Sequence, residues 1–165
     1  MKKLLVTFPL FISLFCFSQK GVMLDIRDEG RMYNTVVIGN QTWMAQNLNT
    51  TTFRNGDIIP EAKTNEEWVK ADKKKQPAWC FYRGNSEEGW KYGKLYNWYA
   101  VNDSRGLAPD GWHIPSSEEW TNLINYLGTE NIGEKIKTTE GWFQDGNGNN
   151  ESGFSGFPGG HRNYA

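Results

Sequence analysis

The clearest periodic stretch of the chain lies between residues 116 and 128. Its apolar residues recur at intervals of three and four, the spacing of one helix face, at Trp120, Leu123, Ile124 and Leu127. Ser116 precedes this stretch and Glu119 follows three residues later, which is the pattern of a capping box. The pattern predicts a helix with one buried face that ends at a C-cap, Gly128.

Alternation of apolar and polar residues marks the segments 23–26 and 33–38. Between them lies Asp28-Glu29-Gly30, a turn sequence, and a second turn at Gly39-Asn40 leads into residues 42–45. This order predicts an antiparallel hairpin that is continued by a third strand.

The middle of the chain is less regular. Residues 49–76 are expected to be mostly irregular, with one short helix at 65–69 that places Trp68 on the core and a solvated lysine-rich loop after it. Residues 77–82 have strand composition, whereas 92–101 place Leu95, Trp98 and Tyr99 on one helical stripe. We therefore expect a strand followed by a helix of about three turns.

Residues 1–18 have the layout of a secretory signal peptide. Lys2 and Lys3 precede an apolar run from residue 4 to 17, and the small Ser18 follows. Lipid attachment at Cys16 is the alternative, which the bulky Phe15 before it disfavours. The sequence predicts a secreted or cell-surface protein with one mature domain over 19–165 and no transmembrane span in it.

Charge and cysteine content limit the partners and the covalent bonds that can be expected. The formal net charge is −1, and removal of residues 1–18, which carry two lysines and no acid, makes it −3. Without a clustered basic footprint, no nucleic-acid partner is expected. Cys80 is the only cysteine after residue 18, between Trp79 and Phe81, so we expect a buried, unreactive thiol and no intrachain disulfide.

Eight tryptophans are present in 165 residues, far above ordinary usage. Trp98 and Trp120 lie on predicted helical faces and Trp79 in a predicted strand, which assigns these three to the core. Trp90 and Trp142 lie beside glycines in polar surroundings, so we expect them to be exposed and to bind ligand, as sugar-stacking aromatics do.

The Gly- and Asn-rich loop after Trp142 is the candidate metal site. Oxygen-bearing side chains recur there at alternate positions, at Asp145, Asn147, Asn149 and Glu151. Such oxygens suit calcium, but the loop lacks the glycine and the bidentate glutamate of an EF-hand, and a cluster of turns is the alternative explanation. Asn147 and Asn149 are also candidate ligand-binding residues.

Catalytic signals are sparse. The only histidines are His113 and His161, and we expect the His113 imidazole to bind backbone next to the predicted helix. No nucleophile with its base and no acid–base pair is recognisable. The sequence predicts a protein that is not an enzyme.

Four ordered segments resemble one known family, the Fibrobacter succinogenes major paralogous domain. The segments are Tyr33 to Leu48, Tyr92 to Val101, Gly111 to Ser116, and Asn150 to Phe154 with Pro158-Gly159-Gly160. The resemblance spans roughly residues 25–162. More distantly, residues His113 to Trp120 are similar to the R-L-P-T-x-x-E-W block of formylglycine-generating, or sulfatase-modifying factor, domains.

The resemblance implies an α+β, C-type-lectin-like domain with short antiparallel strands, two helices and long loops. Members of the family continue beyond the Gly-Gly block into further strands, which implies that this chain is truncated at its C-terminus. Formylglycine-generating relatives hold copper with paired cysteines, which Cys80 alone does not supply.

Three functions follow as hypotheses. The leading one is a secreted or cell-surface C-type-lectin-like binding module that recognises a glycan or an extracellular protein without catalysis. The alternatives are a structural or assembly domain of an envelope or adhesion protein, and an uncharacterised enzyme, because one fold can host all three.

Overall fold

A computed structural model describes residues 19–87 and 89–163, apart from the side chain of Trp90. The predicted signal peptide, with Cys16, lies outside the described residues. The strands are β1 Lys20–Asp25, β2 Arg31–Ile38, β3 Gln41–Met44, β4 Trp79–Cys80 and β5 Leu95–Tyr96. The helices are α1 Asn65–Lys73, α2 Gly89–Tyr92, α3 Trp98–Val101, α4 Ser117–Leu127 and α5 Ile132–Ile136, and a 3-10 turn covers Tyr82–Gly84.

The mixed α+β class with short antiparallel strands is confirmed. The described residues contain five helices, whereas the family resemblance implied two and the sequence pattern predicted three, although only α1 and α4 exceed five residues. Within the described part of the chain, no helix has both the length and the apolar character needed to cross a membrane.

The first three strands form one antiparallel sheet in the order β1-β2-β3. Leu24 pairs with Met32 across the hairpin, and Val36 pairs with Trp43 in the second ladder. The turn between β1 and β2 is closed by Gly30, whose amide donates to the Arg27 carbonyl at 2.9 Å. The predicted hairpin and its third strand are confirmed.

Helix α4 packs against residues of β2 and β3. The capping box of Ser116 and Glu119 is present, and Leu123 is completely buried against Val36, Ile38 and Trp43. Trp120 lies at the edge of this core, with its ring centroid 4.8 Å from that of Trp43. The predicted helix is confirmed, while Trp120 keeps 37% of its surface exposed and is only partly a core residue.

Helix α1 is confirmed and is longer than predicted. Thr64 and Glu67 form a second capping box, and Trp68 is buried beside Cys80. The prediction that the lysines lie in a loop is wrong for Lys70 and Lys73, which lie in the last turn of α1. Positive charge interacts favourably with the helix dipole at this end of a helix.

The helix predicted over residues 92–101 is wrong. Helix α2 ends at Tyr92, Gly93 has a left-handed φ of 70°, and β5 then pairs with β4. After Gly93, only residues 98–101 of the predicted helix are helical. Asn97 separates strand from helix, because its buried carboxamide oxygen accepts hydrogen bonds from the amides of Ala78 and Ala100, both at 3.0 Å. Trp98 consequently points outward, 62% exposed, and its assignment to the core is wrong.

Trp79 is buried as predicted, and its indole donates to the Ile59 carbonyl at 2.8 Å. It belongs to a second core cluster with Phe53, Ile59 and Leu107. Cys80 is buried as well, and burial raises the pKa of its thiol.

The irregular segment after β3 is held in place by side chains from other elements. The Tyr33 hydroxyl accepts from the Asn49 amide at 3.0 Å. The Tyr96 hydroxyl both accepts from the Thr50 amide at 2.8 Å and donates to the Thr50 carbonyl at 2.7 Å. These bonds replace the ladder that a regular strand would provide.

Arg27 makes the most extensive of these connections. Its guanidinium forms a bidentate pair with Asp25, at 2.8 and 2.7 Å, and donates to the carbonyls of Thr52 and Leu107 at 3.0 and 2.9 Å. The Asp25 and Arg27 side chains are 4% and 9% exposed, so the pair is buried.

Asp25→Ala is expected to lower the free energy of unfolding by about 3 kcal/mol or more, because it leaves the Arg27 charge buried without its carboxylate. Urea titration followed by tryptophan fluorescence measures the change. Asp57→Ala is the matched control, since Asp57 pairs with Arg105 at 2.9 Å at the surface and should cost far less. Equal losses in the two variants would contradict the role given to the buried pair.

Glu119 connects the stability of α4 to pH. Hydrogen bonds from the Ser116 amide, from His113 and from the Ser116 hydroxyl lower the pKa of its carboxyl from 4.5 to about 2. Because the folded state favours the charged carboxylate, its stabilisation is complete above about pH 4.5 and is lost as the pH falls towards 2.

Glu119→Gln should therefore be less stable than the parent protein at neutral pH, and the difference should shrink between pH 4.5 and 2 in thermal melts. Glu118→Gln removes a charge from the same helical turn without opening the capping box, and its difference from the parent should vary less with pH. A Glu119→Gln difference that stays constant over this range would refute the assignment.

Candidate functional site

The predicted ligand and metal residues lie mainly on the loop between α5 and Phe154. Trp142 is half-buried there, and its indole donates to the Gly156 carbonyl and the Thr138 hydroxyl, both at 3.2 Å. The Lys137 ammonium lies 4.9 Å from the Trp142 ring centroid. The Trp142 side chain therefore stabilises the loop to which it belongs, and part of the ring is exposed at the surface of that loop.

The Asn residues of this loop form turns. The Asn147 carboxamide oxygen accepts from the Trp142 amide at 3.0 Å, and that of Asn149 accepts from the Glu151 amide at 2.9 Å. The Asn149 amide donates to the Glu134 carbonyl at 2.9 Å, which ties the loop to α5.

These contacts bear on the predicted calcium site. Two of its four oxygen-bearing side chains already accept hydrogen bonds, while the other two, Asp145 and Glu151, are exposed. Among the described residues, no group of three or more His, Cys, Asp and Glu side chains is placed to hold a metal ion. Calcium binding by this loop stays a prediction.

Two other aromatic residues are relevant to ligand binding, the predicted Trp90 and the exposed Phe143. The backbone of Trp90 lies in α2, and its side chain lies outside the described residues. Phe143, next to Trp142, is 84% exposed, more than any other large apolar side chain that the structure describes. The Gly- and Asn-rich sequence that follows Phe143 was the feature from which its exposure could have been predicted.

His113 does not contact backbone as predicted. Its Nε2 lies 2.6 Å from the Glu119 carboxylate, and the imidazole is 70% exposed. The same carboxylate accepts from the Ser116 amide and hydroxyl, at 2.8 and 2.9 Å. The reason for the difference is the capping box, which places a carboxylate beside the imidazole.

A groove that sequence reasoning did not find lies between the start of α1, the 3-10 turn and the segment around residue 161. We call it the basic groove; its volume is about 460 Å³, within the range of ligand pockets. Four of its lining side chains are basic or can become cationic, and two are aromatic. It is lined by Lys63, Asn65, Phe81, Tyr82, Arg83, Gly84, Leu95, His161 and Arg162.

Close packing of the chain against Tyr82 builds this groove. Gly160 has a left-handed φ of 68°, and a β-carbon there would overlap the Tyr82 ring. Two residues later, Arg162 donates to the Ala62 carbonyl at 3.0 Å and to the Asn65 side chain at 2.9 Å. The glycine thus allows residues 161 and 162 to reach the start of α1.

A second cavity, of about 390 Å³, shares Leu95 with the lining of the basic groove. We call it the motif cavity, because segments that carried the family resemblance meet in it. Its lining includes Asn47, Leu48, Tyr92, Lys94, Tyr96, Ile114, Phe157 and Gly159. These residues come from four separate parts of the sequence, which is why no local pattern revealed the cavity.

Lys94 is the charged residue of the motif cavity. Its ammonium donates to the carbonyl and the side-chain oxygen of Asn49 and lies 4.7 Å from the Trp79 ring centroid. Burial lowers the pKa of this amine, although the Asp28 charge acts in the opposite direction. Tyr92 and Phe157 meet edge-to-face nearby, with centroids 6.5 Å apart.

Gly160→Ala is expected to destabilise the protein more than Gly111→Ala does, by about 1–3 kcal/mol, because only the former overlaps a neighbouring ring. Gly111 has a comparable φ of 77° and nothing within 4 Å of an added β-carbon, so it controls for backbone strain alone. Urea unfolding of both variants measures the difference. Equal destabilisation would contradict the packing of Gly160 on Tyr82.

Comparison with known proteins finds one relationship. No curated protein and no solved structure matches the chain. A family model, described as the Fibrobacter succinogenes major domain, matches residues 36–165, which is most of the chain. The match includes all four segments that resemble the family, apart from residues 33–35 at the start of the first segment. The protein belongs to the Fibrobacter succinogenes major domain family.

Proposed function

We propose that this protein is a secreted or cell-surface, non-catalytic binding module of C-type-lectin-like fold that recognises a glycan. Its ligand site is the basic groove together with the motif cavity. The observation that carries the proposal is that these two cavities, which share Leu95 in their linings, are each lined by aromatic rings and hydrogen-bond donors.

The chemistry of the two cavities suits a sugar. A pyranose ring offers apolar faces that stack on aromatic side chains and hydroxyl groups that need polar partners. Tyr82 and Phe81 line the groove, Tyr92 and Phe157 line the cavity, and both sites include an asparagine, Asn65 or Asn47.

A binding role without catalysis agrees with the titratable groups. The Cys80 thiol has a raised pKa because it is buried, which makes it a poor nucleophile. The His113 imidazole contacts the carboxylate that caps α4 and does not face either cavity. These features support the proposal, as does the signal-peptide pattern for its secreted location.

The C-type-lectin-like fold is supported by family membership and by architecture. The described residues combine short antiparallel strands with long segments whose backbone is held by side chains. Recognition through loops is a common use of such a scaffold, since loops tolerate variation while the elements beneath them hold position.

A structural or assembly role is the second candidate, favoured by the hairpin. Val22, Leu24 and Met32 share one face of β1 and β2 and are 62%, 58% and 69% exposed. Within the described residues, no strand pairs with the outer edge of β1. An apolar face beside an open edge is a feature of surfaces that associate with other chains.

Tyr82→Ala is expected to weaken glycan binding about tenfold, since loss of an aromatic anchor costs roughly 1–2 kcal/mol. A glycan array, run with and without calcium on protein whose near-UV circular dichroism shows fixed aromatic packing, identifies the ligand. Isothermal titration then measures affinity for the parent protein and the variants.

Phe143→Ala is the matched control, because it removes an exposed ring from the loop that carries Trp142. Its affinity should equal that of the parent. If Phe143→Ala or Trp142→Ala abolished binding and Tyr82→Ala did not, the ligand site would be that loop and the groove assignment would be wrong. Absence of glycan binding by folded protein, with self-association lost in Leu24→Lys, would favour the assembly role.

A further inference from the structure

We propose that the basic groove selects anionic glycans, those bearing carboxylate or sulfate groups, over neutral ones. This inference rests on the proposed glycan-binding function and specifies its ligand class. It concerns the groove side of the site, where Lys63, Arg83, His161 and Arg162 converge.

The charge in the groove is unbalanced. Three of its lining side chains, Lys63, Arg83 and Arg162, are cationic at neutral pH, and no Asp or Glu is among the described residues that line it. The whole chain has a formal charge of −1, so the excess of positive charge in this groove does not reflect an overall basic protein. Like charges gathered around one cavity repel each other unless an anion enters.

The carboxylates near the groove are committed to other contacts. Glu67 closes the capping box of α1 and accepts from the Lys63 amide at 2.7 Å. Glu61 lies 3.9 Å from the Lys63 ammonium, at the limit of an ion pair, and that lysine side chain is 72% exposed. The pKa of the Glu66 carboxyl is lowered by hydrogen bonds from its own amide and from Thr64, and also by the charge of Arg162, so this carboxylate partly balances Arg162. Among the described residues, neither Glu61 nor Glu67 forms a salt bridge with Arg83.

The two arginines of the groove differ in how firmly protein contacts anchor them. Arg162 is anchored by the Ala62 carbonyl and the Asn65 side chain, and its guanidinium lies 5.2 Å from the Trp68 ring centroid. Arg83 is exposed, with its guanidinium 5.1 Å from the Tyr82 ring centroid. Arg162 is therefore held in place in the lining of the groove, whereas the Arg83 side chain is free of such hydrogen bonds among the described residues and is placed to contact a ligand.

An anionic sugar matches both the cationic and the aromatic side chains of the basic groove. Arginine binds carboxylate and sulfate groups through paired N–H donors, and these bonds are stronger than those to neutral hydroxyls. The aromatic side of the groove can stack against the ring that carries the anionic group. A neutral glycan would stack on the rings but would offer no anionic group to Arg83, whose guanidinium is exposed.

The test compares two forms of one oligosaccharide. Isothermal titration of the full chain with tetragalacturonate, and with the same tetrasaccharide fully methyl-esterified, changes the charge and little else. A chondroitin sulfate tetrasaccharide, in a third titration, distinguishes a preference for sulfate from one for carboxylate. We expect an anionic probe to bind at least tenfold more tightly than the neutral ester, and the difference to shrink as salt is raised.

The double variant Lys63→Ala with Arg83→Ala should lose about tenfold or more in affinity for the anionic probe. Both side chains are exposed, so the fold is expected to remain intact. The matched control is Lys73→Ala with Lys74→Ala, which removes the same charge at the other end of α1.

The outcomes are distinguishable. Equal or tighter binding of the neutral ester would overturn the inference and leave the proposed glycan-binding function in place. Failure of folded protein to bind any glycan, charged or neutral, would overturn both. Anionic binding that the Lys73→Ala, Lys74→Ala control weakens as much as the groove variant would show general charge attraction and overturn the assignment to the groove.

Discussion

The buried pair of Asp25 and Arg27 is the interaction on which the rest of the structure depends. It joins the end of β1 to the carbonyls of Thr52 and Leu107, and so connects the hairpin, the irregular segment and the chain after α3. A domain with so few ladder hydrogen bonds must satisfy its loop backbone by other means, because buried carbonyls without donors are costly. Arginine suits this task, since its planar group carries five donors in a fixed arrangement.

Two further arginines repeat this arrangement around the same segment. Arg54 donates to the carbonyls of Ala108 and Trp112 at 3.1 Å, and Arg105 pairs with Asp103 and Asp57, each at 2.9 Å. The core cluster of Phe53, Ile59 and Trp79 lies beneath these loops. Loop backbone and core are thus fixed together, which provides the rigid base that the two cavities need.

Two groups of loops play different structural roles. The Gly- and Asn-rich loop directs its amides at the carbonyls of α5, and its Asn side chains close its own turns. The 3-10 turn and the segment from Phe157 to Arg162 instead leave space between them. The first arrangement stabilises a helix end, while the second creates concave surface, which is where ligands generally bind.

The sequence by itself determined the features that arise from near neighbours in the chain. The hairpin, α4 with its cap at Ser116, and the burial of Trp68 depend on alternation, helical spacing and capping, all of which act within a few residues. Only the tertiary structure decided the strand at Leu95–Tyr96, because pairing with β4 and the bonds of Asn97 outweigh a helical stripe. The tertiary structure likewise creates the basic groove, because it brings together the basic side chains of residues 63, 83, 161 and 162. Side chains this far apart in sequence are brought together by long-range packing, here of Gly160 on Tyr82, and no local pattern encodes that contact.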